Sequence, residues 1–179
     1  MTSAARIVLQ DARYAISRHH DKLAGEAFRV SWLSVIGLLR AVGHVLNKVD
    51  ANRSPSMGWA IRQKWSELQQ SRPEPLIFWE FIEAERNSLF KVYEHSIMRS
   101  FSLAMHEEDG TPSPMTTNID VGRSSGMVSI TSKAMTSFFD RGSFSGRREV
   151  EVASEAASWW HAYLSAVDDL AAHRGESSA

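Results

Sequence analysis

One adjacent pair of charged residues, Glu85 and Arg86, interrupts an otherwise apolar helical stripe. At about 100° per residue, the stretch from Leu76 to Ile97 places apolar side chains on one broad face of a helix. The side chains of Glu85 and Arg86 project from this same apolar face. That face consists of Phe78, Phe81, Ile82, Leu89, Val92, Tyr93 and Ile97. A buried charge is costly unless it is paired. We therefore expect each residue to have a partner, in a structural ion pair or in a functional polar site.

Candidate partners for this pair lie on the margin of a long helix that we predict from Gly25 to Asp50. Arg40 and His44 are four residues apart and therefore adjacent on the helix surface. If this margin meets the predicted helix of residues 76–97, the domain contains a semi-buried polar cluster. Its predicted members are Glu85, Arg86, Asn87, Arg40 and His44.

The apolar periodicity predicts an all-α fold, an up-and-down bundle of five helices forming one domain over residues 1–179. The predicted helices cover about 4–21, 25–50, 55–71, 76–97 and 149–173. Ser54 and Pro55 suit the N-cap and N1 positions of the third helix. The sequence shows no alternation of strands and helices, so we do not expect a parallel sheet. In the first helix, the expected apolar face consists of Ile7, Val8, Tyr14 and Ile16.

Residues 107–148 form an insertion that is rich in Gly, Ser and Thr and lacks helical periodicity. Residues 118–121 and 127–131 alternate weakly on either side of a five-residue loop, which predicts a β-hairpin. Basic residues interleaved with phenylalanines can hold single-stranded nucleic acid. A solvated arm, or an arm docked on a second subunit, is the alternative. The candidate nucleic-acid contacts are Arg123, Arg141, Arg147 and Arg148.

Composition and motifs exclude several classes of chemistry. The net charge of −1 gives no global field that would attract nucleic acid or an anionic membrane, and the absence of cysteine excludes disulfides and thiolate sites. The chain has no glycine-rich phosphate loop, Rossmann fingerprint, zinc-protease motif or nucleophile elbow. No run approaches the ~18 apolar residues of a membrane span. We expect a cytoplasmic protein without a cofactor or metal.

The sequence His19-His20-Asp21 contains residue types that bind metals. Adjacent residues on a helix point about 100° apart, so they do not easily share one ion. We therefore predict a polar helix end, where cationic groups suit the helix dipole.

The sequence Arg86-Asn87-Ser88-Leu89-Phe90-Lys91 resembles the last helix of HEPN-family domains. The family signature is an Arg, commonly followed by a polar residue such as Asn, with a His five positions after the Arg. The layout of long paired helices, a turn, the Arg-Asn helix and a closing helix is also similar, over about residues 5–100 and 150–173. The resemblance implies a small helical bundle that forms a homodimer and acts on or binds RNA.

This chain departs from the family signature at one position, because Lys91 stands where the family has His. In catalytic family members, the Arg and the His act together on the 2′-hydroxyl and the phosphate of RNA. Lys91 can contact phosphate but is a poor general base at neutral pH. His95 lies one helical turn beyond it.

The resemblance therefore implies a non-catalytic module that binds RNA or a partner protein. Two alternatives remain open. One is a diverged, metal-independent RNA endonuclease that uses Arg86 with Lys91 or His95. The other is a homodimeric helical scaffold without catalytic activity.

Overall fold

The structure, a computed structural model, describes residues 1–106, 112–121 and 134–176. Its α-helices are α1 (Ser3–Arg18), α2 (Gly25–Lys48), α3 (Pro55–Gln70), α4 (Ala84–Lys91) and α5 (Glu149–Glu176). A 3-10 turn, Asp50–Asn52, follows α2, and a π-helical turn, Ile77–Glu83, leads into α4. The strands are β1 (Ile97–His106), β2 (Pro112–Val121) and β3 (Ala134–Phe139). The prediction of a helical bundle with a β insertion before the last helix is confirmed.

The central element of the bundle is α2, which contacts α1, α3, α4 and α5. Its buried apolar face consists of Phe28, Trp32, Val35, Ile36, Leu39, Val42 and Leu46. Within the described chain, Gly25–Asn52 is the one helical stretch long and apolar enough to cross a membrane, judged by length and composition alone. A core helix covered by its neighbours shows the same composition, and here four helices contact α2.

The buried face of α1 differs from the predicted one. Ile7 and Tyr14 are 62% and 68% exposed, so their assignment to the core is wrong. The helix instead buries a stripe that includes two alanines: Ala5, Leu9, Ala12 and Ile16. The small alanine side chains allow α1 to pack closely on α2, and isolated apolar residues on a protein surface are ordinary.

Two helix starts show how the chain satisfies the backbone amides that have no partner within the helix. The predicted cap of α3 is confirmed, because Ser54 Oγ accepts a hydrogen bond from the Met57 amide at 3.1 Å and Pro55 occupies the first turn. In α1, the Thr2 side chain makes no cap. The Ala4 and Ala5 amides donate to the buried Asp50 carboxylate at 3.1 and 2.8 Å.

The prediction of one helix from Leu76 to Ile97 is wrong at its C-terminal end. The helix ends at Lys91, Tyr93 adopts a left-handed conformation with φ of 58°, and β1 begins at Ile97. The apolar period of 3.6 continues past the actual end of the helix because Val92 and Tyr93 extend it in sequence. In the structure both are more than 60% exposed.

The three strands form an antiparallel sheet in the order β2-β1-β3. In the predicted hairpin, residues 118–121 pair with residues 127–131. The structure instead pairs residues 118–121 with residues 99–102 of β1. Residues 127–131 lie outside the described residues.

The end of the insertion belongs to the core. Phe139 of β3 and Phe144 after it are buried, and their rings lie 5.8 and 6.0 Å from the ring of Phe81. The alternative of a solvated arm is therefore wrong for residues 134–148. The adjacent phenylalanine rings replace solvent on this side of the π-helical turn.

Candidate functional site

The Glu85 carboxylate points into the protein and has polar partners, as its position in an apolar stripe requires. The residue is only 4% exposed. Its Oε1 accepts hydrogen bonds from Trp32 Nε1 and from the Ser96 amide, each at 3.1 Å. These bonds join α4 to α2 and to the start of β1. Glu85 thus bonds to Trp32 and Ser96 rather than to Arg40 or His44.

The neighbouring Arg86 points away from Glu85 toward a half-buried surface. Its Nη1 donates to Asn87 Oδ1 at 2.9 Å, and its guanidinium carbon lies 5.7 Å from the centre of the Phe90 ring. It forms no ion pair with any residue in the described part of the chain. A partly desolvated guanidinium without a carboxylate partner remains available to an anion.

Arg40 and His44 of α2 lie within electrostatic range of Arg86. Burial lowers the pKa of Arg40; the Glu83 carboxylate opposes this effect and the charge of Arg86 adds to it. Burial also lowers the pKa of His44, and the charges of Arg40, Arg86 and Lys48 lower it further. The structure therefore brings together Arg40, His44 and Arg86, which we call the cation surface.

A pocket adjoins the cation surface between α2, α3 and α5, and it shares Arg40 and His44 with it. The cavity volume is about 230 Å³. Burial, followed by the nearby Glu67 carboxylate, raises the pKa of Tyr163, so its hydroxyl stays protonated. The lining residues are Arg40, Gly43, His44, Leu46, Asn47, Ile61, Arg62, Trp65, Trp160 and Tyr163.

Of the two other residues that the sequence suggests for catalysis, His95 lies apart from the cation surface. Lys91 is exposed at the end of α4. His95 follows the helix and packs its ring 5.8 Å from the ring of Phe28. Phe28 and Arg40 are 12 residues apart on α2, which corresponds to about 18 Å of helix. The contacts of His95 and of Arg86 are thus separated by about three helical turns.

The arginines of the insertion are largely neutralised by acidic neighbours. Arg147 Nη2 lies 2.7 Å from Glu155 Oε2, and Arg148 Nη2 lies 2.6 Å from Asp21 Oδ2. Arg141 Nε lies 3.9 Å from Asp140 Oδ1. Arg123 lies outside the described residues. The described arginines therefore offer less free positive charge than the sequence suggests.

A buried polar cluster, absent from the sequence-based prediction, joins α1, α2 and α5. The predicted polar end of α1 has Arg18 in its last turn, and of the two histidines that follow, His20 is exposed whereas His19 is only 4% exposed. His19 Nδ1 lies 2.9 Å from Ser31 Oγ, and His19 Nε2 lies 3.5 Å from Oε1 of the fully buried Glu149. We call His19, Ser31, Glu149 and Arg99 the interior polar cluster.

Arg99 connects the sheet to this interior polar cluster. Its Nη2 donates to the Asp21 carbonyl at 3.0 Å and also to the Leu23 carbonyl. The guanidinium carbon lies 4.3 Å from the centre of the Phe28 ring. Burial lowers the pKa of Arg99, while the carboxylates of Glu149 and Asp21 oppose that effect. These contacts give the cluster a structural role as the attachment of β1 to the helical bundle.

One sequence signal could have revealed this attachment. Every second residue from position 97 to position 105 is apolar, as in a strand, except for one. The apolar residues are Ile97, Phe101, Leu103 and Met105, and the exception is the charged Arg99. A charge in an alternating apolar row needs a partner for the same reason as a charge on a helical face. The helical periodicity that continues through Ile97 hides the alternation.

Among the residues that the structure describes, no three His, Asp or Glu side chains are arranged to hold a metal ion. When compared with known proteins, the chain matches no protein-family model, no curated protein and no solved structure.

Proposed function

We propose that this helical bundle binds RNA through the cation surface of Arg40, His44 and Arg86. The observation that carries the proposal is the convergence of these three groups, none of which forms an ion pair with a described residue, although the Glu83 carboxylate acts on Arg40 from a distance. Close like charges repel one another, so an anion between them lowers the energy of the surface. A guanidinium pairs well with phosphate because its planar fork donates two parallel hydrogen bonds.

Two features favour RNA over a discrete small anion. The sequence Arg86-Asn87 carries the resemblance to HEPN-family domains, which implies RNA or a partner protein as the ligand. Phe90, which is 55% exposed beside Arg86, and Trp65, which is 37% exposed beside the pocket, offer aromatic surfaces near the cations. Cations next to exposed aromatic rings are typical of proteins that bind single-stranded nucleic acid. Because the net charge is only −1, the interaction depends on this local surface.

Fluorescence anisotropy with a labelled RNA of 12 nucleotides, titrated at several salt concentrations, tests the proposal. We expect Arg86→Gln and Arg40→Gln each to weaken binding and to reduce the salt slope by about 0.7, the contribution of one phosphate contact on a single strand. Arg13→Gln removes the same charge from an exposed position on α1 and should change neither quantity. Thermal melting of all four proteins controls for folding. RNA affinity that is absent, or equally reduced by Arg13→Gln, would contradict the proposal.

RNA cleavage is the second candidate function, and the position of His44 favours it. Partial desolvation and the neighbouring cations lower the pKa of the His44 imidazole, which favours the neutral form that accepts a proton. In this reaction, His44 takes the proton of a 2′-hydroxyl, and the 2′-oxygen forms a bond to the adjacent phosphorus. The bond from phosphorus to the 5′-oxygen breaks, the leaving 5′-oxygen takes a proton from solvent water, and Arg86 stabilises the charged phosphate. His44 thereby replaces Lys91 and His95 as the candidate base.

Incubation of wild-type protein with a mixed RNA pool and with the matching DNA pool tests cleavage. We expect RNA fragments ending in a 2′,3′-cyclic phosphate, no DNA products, and no cleavage by His44→Gln or Arg86→Gln protein that remains folded. Cleavage that survives His44→Gln would exclude this base, and the absence of cleavage by wild type would leave binding as the function. A homodimer and a cytoplasmic location remain predictions from the sequence and the resemblance.

A further inference from the structure

The pocket between α2, α3 and α5 combines unpaired cations with aromatic walls. Within the described residues, neither Arg40 nor Arg62 makes an ion pair or a side-chain hydrogen bond, although the Glu83 carboxylate acts on Arg40 from a distance, and both arginines line the cavity. The lining contains no carboxylate. Glu67 lies near Tyr163, but Lys64 Nζ neutralises it at 2.7 Å. The pocket therefore suits an electron-rich or anionic ligand rather than a cation.

Aromatic side chains give this pocket a flat, partly exposed wall. Trp65 is 37% exposed, and its ring is held at 5.8 Å from the ring of Phe78 and at 6.1 Å from the ring of Trp79. Trp160 is buried, with its ring edge close to Gly43: a Cβ added at Gly43 would lie 3.0 Å from Trp160 Cη2. A Trp65 ring fixed by neighbours costs little entropy when a second ring stacks on it.

The size of the cavity limits what the pocket accepts. Its volume of about 230 Å³ lies below the range of about 300–1,000 Å³ that is typical of sites for whole drug-sized ligands. A single ring system suits this volume better than a dinucleotide cofactor. Tyr163, Asn47 and His44 supply polar groups at its wall and rim.

The pocket is continuous with the cation surface, because Arg40 and His44 belong to both. A strand whose phosphates lie along Arg86 and Arg40 therefore passes the mouth of the pocket. We infer that the pocket accepts one unpaired nucleobase of a bound RNA strand, an inference that rests on the proposed RNA binding. The protein thereby prefers single-stranded RNA over duplex RNA, whose bases are paired and stacked.

Three RNAs of 12 nucleotides separate the contribution of bases from that of phosphates: an ordinary single strand, a strand of the same length with abasic sites throughout, and a perfect duplex. Each is titrated by anisotropy at one salt concentration. Stacking on one aromatic side chain corresponds to about a tenfold gain in affinity. We expect wild-type protein to bind the ordinary strand about tenfold more tightly than the abasic strand or the duplex.

Two tryptophan variants on α3 assign this gain to the pocket. Trp65→Leu removes the exposed wall and should abolish the tenfold preference while leaving the affinity for the abasic strand unchanged. Trp65→Phe keeps an aromatic ring and should restore most of the preference. Trp59→Leu is the matched control, since Trp59 lies on the same helix outside the lining and contacts Arg174 at 4.1 Å. Binding of the abasic strand also shows that each variant is folded.

The outcomes separate this inference from the proposed function. If wild-type protein binds no strand, RNA binding is wrong and the inference falls with it. If it binds ordinary and abasic strands equally, or if Trp65→Leu retains the preference, RNA binding stands and the base pocket is wrong. If a nucleoside monophosphate binds as tightly as the ordinary strand, the ligand of the pocket is a free nucleotide and the inference of a bound RNA strand is wrong.

Discussion

Glu85 and Arg86 show how adjacent residues of one helix take opposite roles. Successive side chains on a helix point about 100° apart. Glu85 is therefore directed at Trp32 and Ser96 inside the protein, while Arg86 reaches the surface that Arg40 and His44 share. The carboxylate fixes α4 against α2, and this attachment holds Arg86 where an anion can reach it.

Removal of the whole Glu85 carboxylate group should destabilise the fold more than removal of its negative charge alone. Glu85→Ala leaves the Trp32 indole and the Ser96 amide without an acceptor, so we expect the free energy of unfolding to fall by about 2–4 kcal/mol. Glu85→Gln keeps an oxygen acceptor and should cost about half as much. Urea denaturation measures both values. Glu94→Ala, at an exposed position, is the control, and an equally small loss in all three variants would contradict the structural role.

The protonation of His44 makes RNA affinity depend on pH. In the free protein, burial and the charges of Arg40 and Arg86 lower its pKa. A bound phosphate raises that pKa again, so binding takes up a proton when the pH lies between the two values. We therefore expect affinity to rise as the pH falls from about 8 through the ordinary histidine range near 6.5.

Anisotropy titrations at constant ionic strength measure this pH dependence. His44→Gln should bind RNA with a flat pH profile, because it removes the group that gains the proton. His20→Gln changes an exposed histidine at the end of α1 and should keep the wild-type profile. Matching slopes in wild type and His44→Gln would rule out His44 as the titrating group.

At the scale of elements, the start of α1 depends on a residue from a different part of the chain. The first amides of a helix have no partners within it. Asp50, in the 3-10 turn after α2, accepts hydrogen bonds from the Ala4 and Ala5 amides and is itself held by Arg53 Nε at 2.9 Å. A negative charge at a helix N-terminus also interacts favourably with the helix dipole.

Asp50→Ala should therefore lower the free energy of unfolding by about 2–3 kcal/mol, since it leaves two amides and the Arg53 charge without their acceptor. Asp50→Asn retains one acceptor oxygen and should lose less. Thermal melting monitored by circular dichroism gives the order of stabilities. Asp11→Ala removes an exposed acid from the middle of α1, and a loss as large as that of Asp50→Ala would show that the cap is not responsible.

Elements with local signals are predictable from the sequence, and elements defined by distant contacts are not. The long second helix and the Ser54 cap of α3 follow from periodicity and capping chemistry, and both are confirmed. The end of α4 is missed because Val92 and Tyr93 continue the apolar period, whereas pairing of β1 with β2 and β3 selects a strand. Asp50 could not be recognised as a cap because 45 residues separate it from Ala5.

The same distinction applies to the site. Arg40, His44 and Arg86 were identified because charges at the margins of apolar helical faces need partners, and the packing of α4 on α2 brings them together. The pocket was missed because it requires α3 and α5 to meet beside α2. The partly exposed position of Trp65 follows only from the tertiary arrangement.

For the whole molecule, the interior polar cluster and the phenylalanines of the insertion attach the sheet to the bundle. Arg99 of β1 reaches the turn after α1, while Phe139 and Phe144 pack against Phe81. The two halves of the insertion therefore differ. Phe139 and Phe144 of residues 134–148 complete the core, whereas β2 pairs with the outer edge of β1.

Two deletions distinguish the halves of the insertion and also test where RNA binds. Joining His106 directly to Ala134 removes residues 107–133, and the pairing of Ser102 with Ala134 leaves residues 103–106 to connect β1 to β3. We expect this variant to keep the helical circular dichroism signal and wild-type RNA affinity, because the cation surface lies on α2 and α4. Removal of residues 107–148 also takes Phe139 and Phe144 from the core and should abolish cooperative unfolding. If the shorter deletion stays folded but loses RNA binding, the binding site lies in the segment that contains Arg123, and the cation surface is not the RNA site.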